Sequence, residues 1–252
     1  MRSKKAIALR QKLMSGRLNA WQVYDATIKT HVRDGMTVLD VGCGKGLAGP
    51  FPWHEYPQIN LIGLDPDPAA RQNPALKQFV LLPGDFSWPL PDASVDLSVS
   101  RSVLEHIADP EQFMADLKRV LRPGGVAVLM AANSRHPVLL LSKLLPHGLK
   151  TRLLKWSAGR DESDTFPTWY RMNTPEQLRR LAQAHGFEII KLEAREFEPI
   201  NYLDFSVIGY WWSYFWWRVF QRTGLELRYG ARVLAVLRRP EAADCADKGE
   251  VA

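Results

Sequence analysis

The tightest constraint in this sequence is a short apolar run that empties straight into glycines. Thr37-Val-Leu-Asp-Val41 is apolar and β-branched, the composition of a strand buried on both faces. Gly42-Cys-Gly-Lys-Gly46 follows at once, a turn that lets the chain bend sharply and bring its backbone close to a ligand. Further apolar runs of strand length come at 61–64, 79–82, 95–100 and 126–130. Between the last two, Pro110 opens a helix running to Leu121, with Asp109 as its N-cap, and Arg122-Pro-Gly-Gly125 stops it. Short buried strands alternating with helices predict a parallel α/β sheet.

The strand ends carry chemistry. Asp65 closes the second strand, where a carboxylate can accept from both hydroxyls of a ribose. Asp85 closes the third, with Phe86 beside it: an acceptor for an adenine amino group and a ring to cover the base. Open α/β sheets bind ligands at this carboxyl edge. The spacing argues against a dinucleotide, because the position of the third fingerprint glycine is Leu47. It also argues against a P-loop, since no Gly-Lys-Ser/Thr follows. Asp40, just before the turn, would repel a pyrophosphate and attract an ammonium or a sulfonium.

Taken together, VLDVGCGKG (38–46), LIGLDP (61–66), GDF (84–86), DLSVSRSVLEHI (96–107) and VLRPGG (120–125) resemble the class I S-adenosylmethionine-dependent methyltransferases. The likeness is to the broad group related to the ubiquinone/menaquinone-biosynthesis methyltransferases. The resemblance implies a Rossmann-like seven-stranded α/β sheet with its last strand antiparallel, helices on both faces and a helical lid insertion. It implies S-adenosyl-L-methionine as cofactor. Asp40, Gly42, Cys43, Gly44 and Gly46 would surround the methionine part, Asp65 and Pro66 the ribose, and Asp85 and Phe86 the adenine. Arg101 would line the pocket near the transferred methyl. Lys45 departs from the small residue, Pro or Thr more usual there.

Methyl transfer requires alignment of nucleophile and methyl, and exclusion of water. A base matters only for an acceptor that must lose a proton. His106 is the best-placed candidate base; the alternative is that Glu105 and His106 stabilise the short helix they sit on. Tyr24, on an N-terminal helix over the cofactor mouth, either reaches the site or faces the core. No Asp/Asn-Pro-Pro-aromatic motif follows the fourth strand, where the chain reads Val99-Ser-Arg-Ser102, and no Pro-Cys nucleophile occurs. Both absences argue against the DNA-methylating patterns. Asp161, Glu162 and Asp164 read as a solvated loop rather than a metal site.

The rest of the chain adds a cover. Residues 3–33 read as one or two helices divided at Gly16, with Leu13, Leu18, Trp21, Tyr24, Ile28 and Val32 as their apolar positions. Thr174-Pro-Glu-Gln177 begins a later helix that Gly186 ends, and residues 187–193 and 231–237 are the sixth and seventh strands. Residues 205–220, FSVIGYWWSYFWWRVF, are packed with aromatics, and 138–156 interleaves leucines with Lys143, Lys150, Arg152 and Lys155. Both compositions suit the membrane interface, and the uncharged run 205–217 is too short to span a bilayer. The alternatives are a lid over a small hydrophobic substrate and a contact between two copies of the chain.

One domain over 1–239 is expected. Residues 1–35 form a helical cover, 134–168 and 198–228 are lid insertions, and 240–252 is a disordered tail. Charge is uneven: 1–35 holds eight Lys/Arg against two acids, and 136–239 holds sixteen against ten. Such flanks suit an anionic surface or simple solubility. Nucleic acid is not expected as a partner, because the aromatics sit among aliphatics. Two distant cysteines, Cys43 and Cys245, and a basic start with no apolar run behind it point to the cytoplasm, and the segments 205–220 and 138–156 to a place peripheral to the inner face of the membrane. The expected acceptor is a small molecule, hydrophobic or lipid-like. The alternatives are a soluble methyltransferase of a polar metabolite and a non-catalytic protein of the same fold acting as a membrane-associated assembly factor.

Overall fold

Strand β1 (Thr37–Val41) is an interior strand, between β2 and β4, of a seven-stranded sheet. The computed structural model describes residues 3–47, 51–84, 86–137, 140, 167–195 and 206–241. The other strands are β2 (Asn60–Asp65), β3 (Gln78–Leu81), β4 (Val95–Arg101), β5 (Leu121–Ala132), β6 (Glu188–Arg195) and β7 (Arg232–Arg238), in the spatial order β3-β2-β1-β4-β5-β7-β6. Strands β1 to β5 pair in parallel; β7 runs antiparallel between β5 and β6. This is the Rossmann-like architecture expected, with the last strand reversed.

Both faces of the sheet are covered, as a parallel sheet requires. Side chains alternate along β1, so Leu39 and Val41 face one core and Val38 the other. The first core packs on helices α3 (Pro110–Val120) and α4 (Pro175–Ala184) through Met114, Leu117, Leu178 and Leu181. Asp109 caps α3 by accepting from the N–H groups of Glu111 and Gln112, both at 3.1 Å, with Pro110 at the first helical position. Thr174 caps α4, and Gly186, at φ +63°, follows its end.

The second core packs on α2 (Ala20–His31), which follows the shorter α1 (Lys4–Leu13) after a break containing Gly16. Asn19 and Gln22 form a capping box at its start. Here the apolar pattern differs from expectation. The buried stripe is Ala20, Tyr24, Ile28 and Val32, at a spacing of four, whereas Leu18 and Trp21 are exposed. Trp21 is turned to two arginines, Arg101 and Arg232, instead.

Strand β5 also begins earlier than residue 126. The Pro-Gly-Gly stretch stays in the sheet because Gly124 N–H donates to the Arg239 carbonyl and Arg239 N–H to that of Gly125. The aromatic segment is a helix, α5 (Val207–Thr223), followed by the short α6 (Glu226–Tyr229). Among the described residues no helix is long and apolar enough to cross a membrane. Most of 138–156, the acids Asp161, Glu162 and Asp164, and Asp85, Phe205 and Cys245 lie outside the described residues.

Candidate active site

Three strand ends converge on the glycine turn. After β1 the backbone passes through Gly42, Gly44 and Gly46 at φ +71°, +49° and +73°, a left-handed series that only glycine adopts without strain. Gly42 also has no room for a side chain, since a Cβ would lie 2.2 Å from Cγ2 of Val103. Gly44 differs: nothing lies within 4 Å of where its Cβ would be. The turn is therefore packed on one side and open on the other.

Asp65 ties this turn to β2. Its Oδ2 accepts from Gly44 N–H at 2.9 Å and its Oδ1 from Asp67 N–H at 2.8 Å. Each oxygen keeps a lone pair, so the carboxylate can still accept two hydroxyls. Pro66 follows it directly. Phe86 lies at φ +59°, and its ring is largely exposed beyond β3. Asn73 was not foreseen. It is buried, its Nδ2 donates to the Cys43 carbonyl at 3.1 Å, and its Oδ1 accepts from Ala75 N–H at 3.1 Å. Its amide presses on Gly46, where a Cβ would stand 2.6 Å from Oδ1. An asparagine in a polar loop 30 residues from its partner carries no sequence signal of this.

The electrostatics are those of a site short of positive charge. Burial pushes the Asp40 carboxyl up to about 7; Arg101 pulls it down and Asp65 adds to the rise. Burial, with Asp40 and Asp65 contributing, pushes the Cys43 thiol up to about 12, so it stays protonated and is no nucleophile. Tyr24 is buried against the same group. Its phenol is raised well above its ordinary value by burial first and Asp40 second, which makes it a donor rather than a base. Arg101, at the end of β4, lies 4.6 Å from the ring of Trp21 and 5.9 Å from that of Tyr24. Arg232, at the start of β7, lies 5.2 Å from the same indole. Trp21 and Arg232 therefore join this edge, another pair that sequence reasoning missed because the partners are far apart in the chain.

His106 sits on a short 3-10 turn, Leu104–His106, and its Nδ1 is 2.8 Å from the Pro167 carbonyl. Glu105 is buried and structural: its Oε1 accepts from Ala132 N–H at 2.7 Å, and its carbonyl accepts from the N–H of Trp169 at 2.7 Å. This pair fastens the end of β5 and the chain at 167–170 to the turn after β4.

A reversed last strand and a glycine turn tied to the acid at the end of the neighbouring strand define the class I S-adenosylmethionine-dependent methyltransferase fold. The sequence profile described as "Methyltransferase domain" matches residues 17–192. The chain belongs to that methyltransferase family, whose cofactor is S-adenosyl-L-methionine. A probable S-adenosylmethionine-dependent methyltransferase of Mycolicibacterium smegmatis is 32% identical over 158 residues, covering 62% of this chain and 53% of that protein. A trans-aconitate 2-methyltransferase of Azoarcus sp. is 32% identical over 134 residues, covering 51% and 52%. The chain thus spans about half the length of these curated relatives. A crystal structure of a SAM-dependent methyltransferase from Aquifex aeolicus superposes with a TM-score of 0.52 at 15% identity, over 93% of this chain and 97% of that one. The residues present fit the cofactor. Two carboxylates, one of them destabilised by burial, suit a ligand carrying ammonium and sulfonium charges, and the open side of Gly44 leaves room for it.

Proposed function

We propose that this chain transfers the methyl group of S-adenosyl-L-methionine to a small hydrophobic or lipid-linked acceptor at a membrane surface. When bound, the cofactor supplies an electrophilic methyl on positively charged sulfur. Asp40 and the glycine turn hold its methionine end, Asp65 and Pro66 its ribose, and Asp85 and Phe86 its adenine. Arg101 and Tyr24 border the acceptor side, Tyr24 as a donor. His106 takes a proton where the acceptor is a hydroxyl. The domain runs over 1–239, in a cytoplasmic compartment, with 1–35, 134–168 and 198–228 as its covers.

The observation that carries the acceptor class is α5. It buries Tyr210, Ser213 and Trp217 and leaves Ile208, Trp211, Trp212, Phe215 and Trp216 exposed by 83, 48, 58, 55 and 42%. A solvent-facing row of aromatics leading into β7 at the carboxyl edge suits an apolar acceptor. The second reading is an anionic polar metabolite, favoured by Arg101 and Arg232 sharing Trp21 and by the trans-aconitate 2-methyltransferase relative.

The test is methyl-labelled S-adenosylmethionine with a cell extract, fractionated into lipids and aqueous metabolites. Label in lipids supports the first reading and label confined to aqueous acids the second. No label in either refutes both.

A further inference from the structure

The aromatic helix does not stand alone. Helix α1 packs against α5, and the Arg17 guanidinium lies 4.9 Å over the ring of Trp217, pinning the turn after α1 to the buried side of α5. What these segments share is their charge. Residues 1–24 contain no Asp or Glu, nor do residues 205–225. Their described bases are Lys4, Lys5, Arg10, Lys12 and Arg17 on and after α1, and Arg218 and Arg222 on α5. Lys4, Lys5, Lys12, Arg17 and Arg222 are exposed.

The apolar half is pre-ordered. Trp212 packs edge-on to Trp216 at 5.8 Å and Trp211 to Tyr214 at 5.7 Å, three to four residues apart along the helix. Ile7 and Leu18 add exposed aliphatics among the bases. Exposed indole and phenyl rings on one helix, lysines and arginines on the helix packed against it, and no acid within either segment suit a headgroup region containing anionic lipid: rings at the acyl boundary, cations among the phosphates. RNA would ask for polar groups among the rings, and the exposed stretch Ile208, Trp211, Trp212 and Phe215 offers few.

We infer that α1 and α5 together form a docking platform for a bilayer bearing anionic lipid, with α1 as its electrostatic half. This rests on the membrane-surface part of the proposed function and deepens it by naming the lipid charge and the second helix.

The test uses the full chain and two vesicle preparations, phosphatidylcholine alone and phosphatidylcholine mixed with phosphatidylglycerol. The chain is expected to sediment with the mixed vesicles and far more weakly with the neutral ones, and salt is expected to abolish the difference. A base near an anionic surface contributes about fivefold to partitioning, so Lys4→Gln/Lys5→Gln/Lys12→Gln should lower it roughly a hundredfold. S-adenosylmethionine affinity, measured by calorimetry, should stay unchanged in that variant. Trp212→Ser/Phe215→Ser should release the protein from both preparations.

Equal partitioning onto the two preparations overturns the anionic platform while leaving an apolar membrane contact. Undiminished anionic binding in the lysine variant overturns the part given to α1. Binding to neither, or only to added RNA, overturns membrane docking altogether. The acceptor reading is judged separately, by where the methyl label goes. The salt titration on the unmutated chain keeps the proposal refutable even if a variant fails to fold.

Discussion

Asp40 is held at a cost that S-adenosyl-L-methionine should relieve, and Asp40→Asn measures it. An unfolded aspartate titrates at about 3.9, whereas this one is pushed up to about 7. Each unit is about 1.4 kcal/mol, so the ionised carboxylate costs the ligand-free fold up to about 4 kcal/mol. The sign follows from where the proton sits. Below about pH 4 both states are protonated and the penalty is absent. From about pH 4 to about pH 7 the unfolded chain gives up its proton while the folded chain keeps it, so stability falls as pH rises. Above that window the loss is constant. Asparagine mimics the protonated side chain. Ligand-free Asp40→Asn should therefore match the parent near about pH 4 and exceed it by about 2–4 kcal/mol near about pH 8, measured by urea unfolding. A variant equally destabilised at both pH values would refute the reasoning. The binding half has its own readout. A cation beside Asp40 favours the carboxylate, so S-adenosylmethionine uptake near about pH 6 should release up to one proton, seen by calorimetry in buffers of unlike ionisation heat. Asp40→Asn should abolish that release and weaken binding.

Substitutions at three other positions separate holding the turn from holding the ligand. Gly42→Ala meets both a positive φ and Val103, and should lose about 2–4 kcal/mol of stability in denaturant unfolding. Gly44→Ala, pointing into open space, should lose only about 1–2 kcal/mol yet bind S-adenosylmethionine far more weakly; normal affinity would mean the open side of the turn is not the ligand's. Asn73→Ala and Asn73→Asp should both weaken binding about tenfold, because each removes the donor to the Cys43 carbonyl, and full affinity in Asn73→Asp would contradict this. If His106 is the base, His106→Ala should lower turnover about a hundredfold or more and erase the acid limb of the pH–rate profile without raising KM. An intact limb would give His106 a structural role at the Pro167 carbonyl instead.

The sheet was legible where its determinants are local. β1, β2 and β4 are apolar runs that end in glycine, aspartate and arginine, and the caps at Asp109 and Thr174 sit next to what they cap. The start of β5 was not, because residues 121–125 stay extended through bonds to Arg239, more than a hundred residues away. In α5 the small residues Ser206, Gly209 and Ser213 mark one face, but rings fill the rest, so spacing alone does not set the buried Tyr210 and Trp217 apart from the exposed Trp211 and Trp212; Trp217 is met by Arg17, some two hundred residues away in the chain. Within the candidate site the acids at strand ends could be read from sequence. The groups that clamp or border them, Asn73, Trp21 and Arg232, act across long separations through side-chain contacts that leave no pattern in the chain.

The reversal of β7 has a consequence for how such a chain can change over time. Because β7 runs against its neighbours, its first residue, Arg232, lies beside the last residues of β5 and β6, Ala132 and Arg195. The chain leaving β5, the chain leaving β6 and the chain entering β7 through α5 and α6 therefore all open on one rim. None of them interrupts β1, β2 or β3, which carry the glycine turn and Asp65. The matching profile stops at residue 192, before α5. The fold thus separates a half that must be kept from a rim that can be rewritten. Exchanging 196–231 between relatives should transplant acceptor choice while leaving the cofactor half to fold and bind as before.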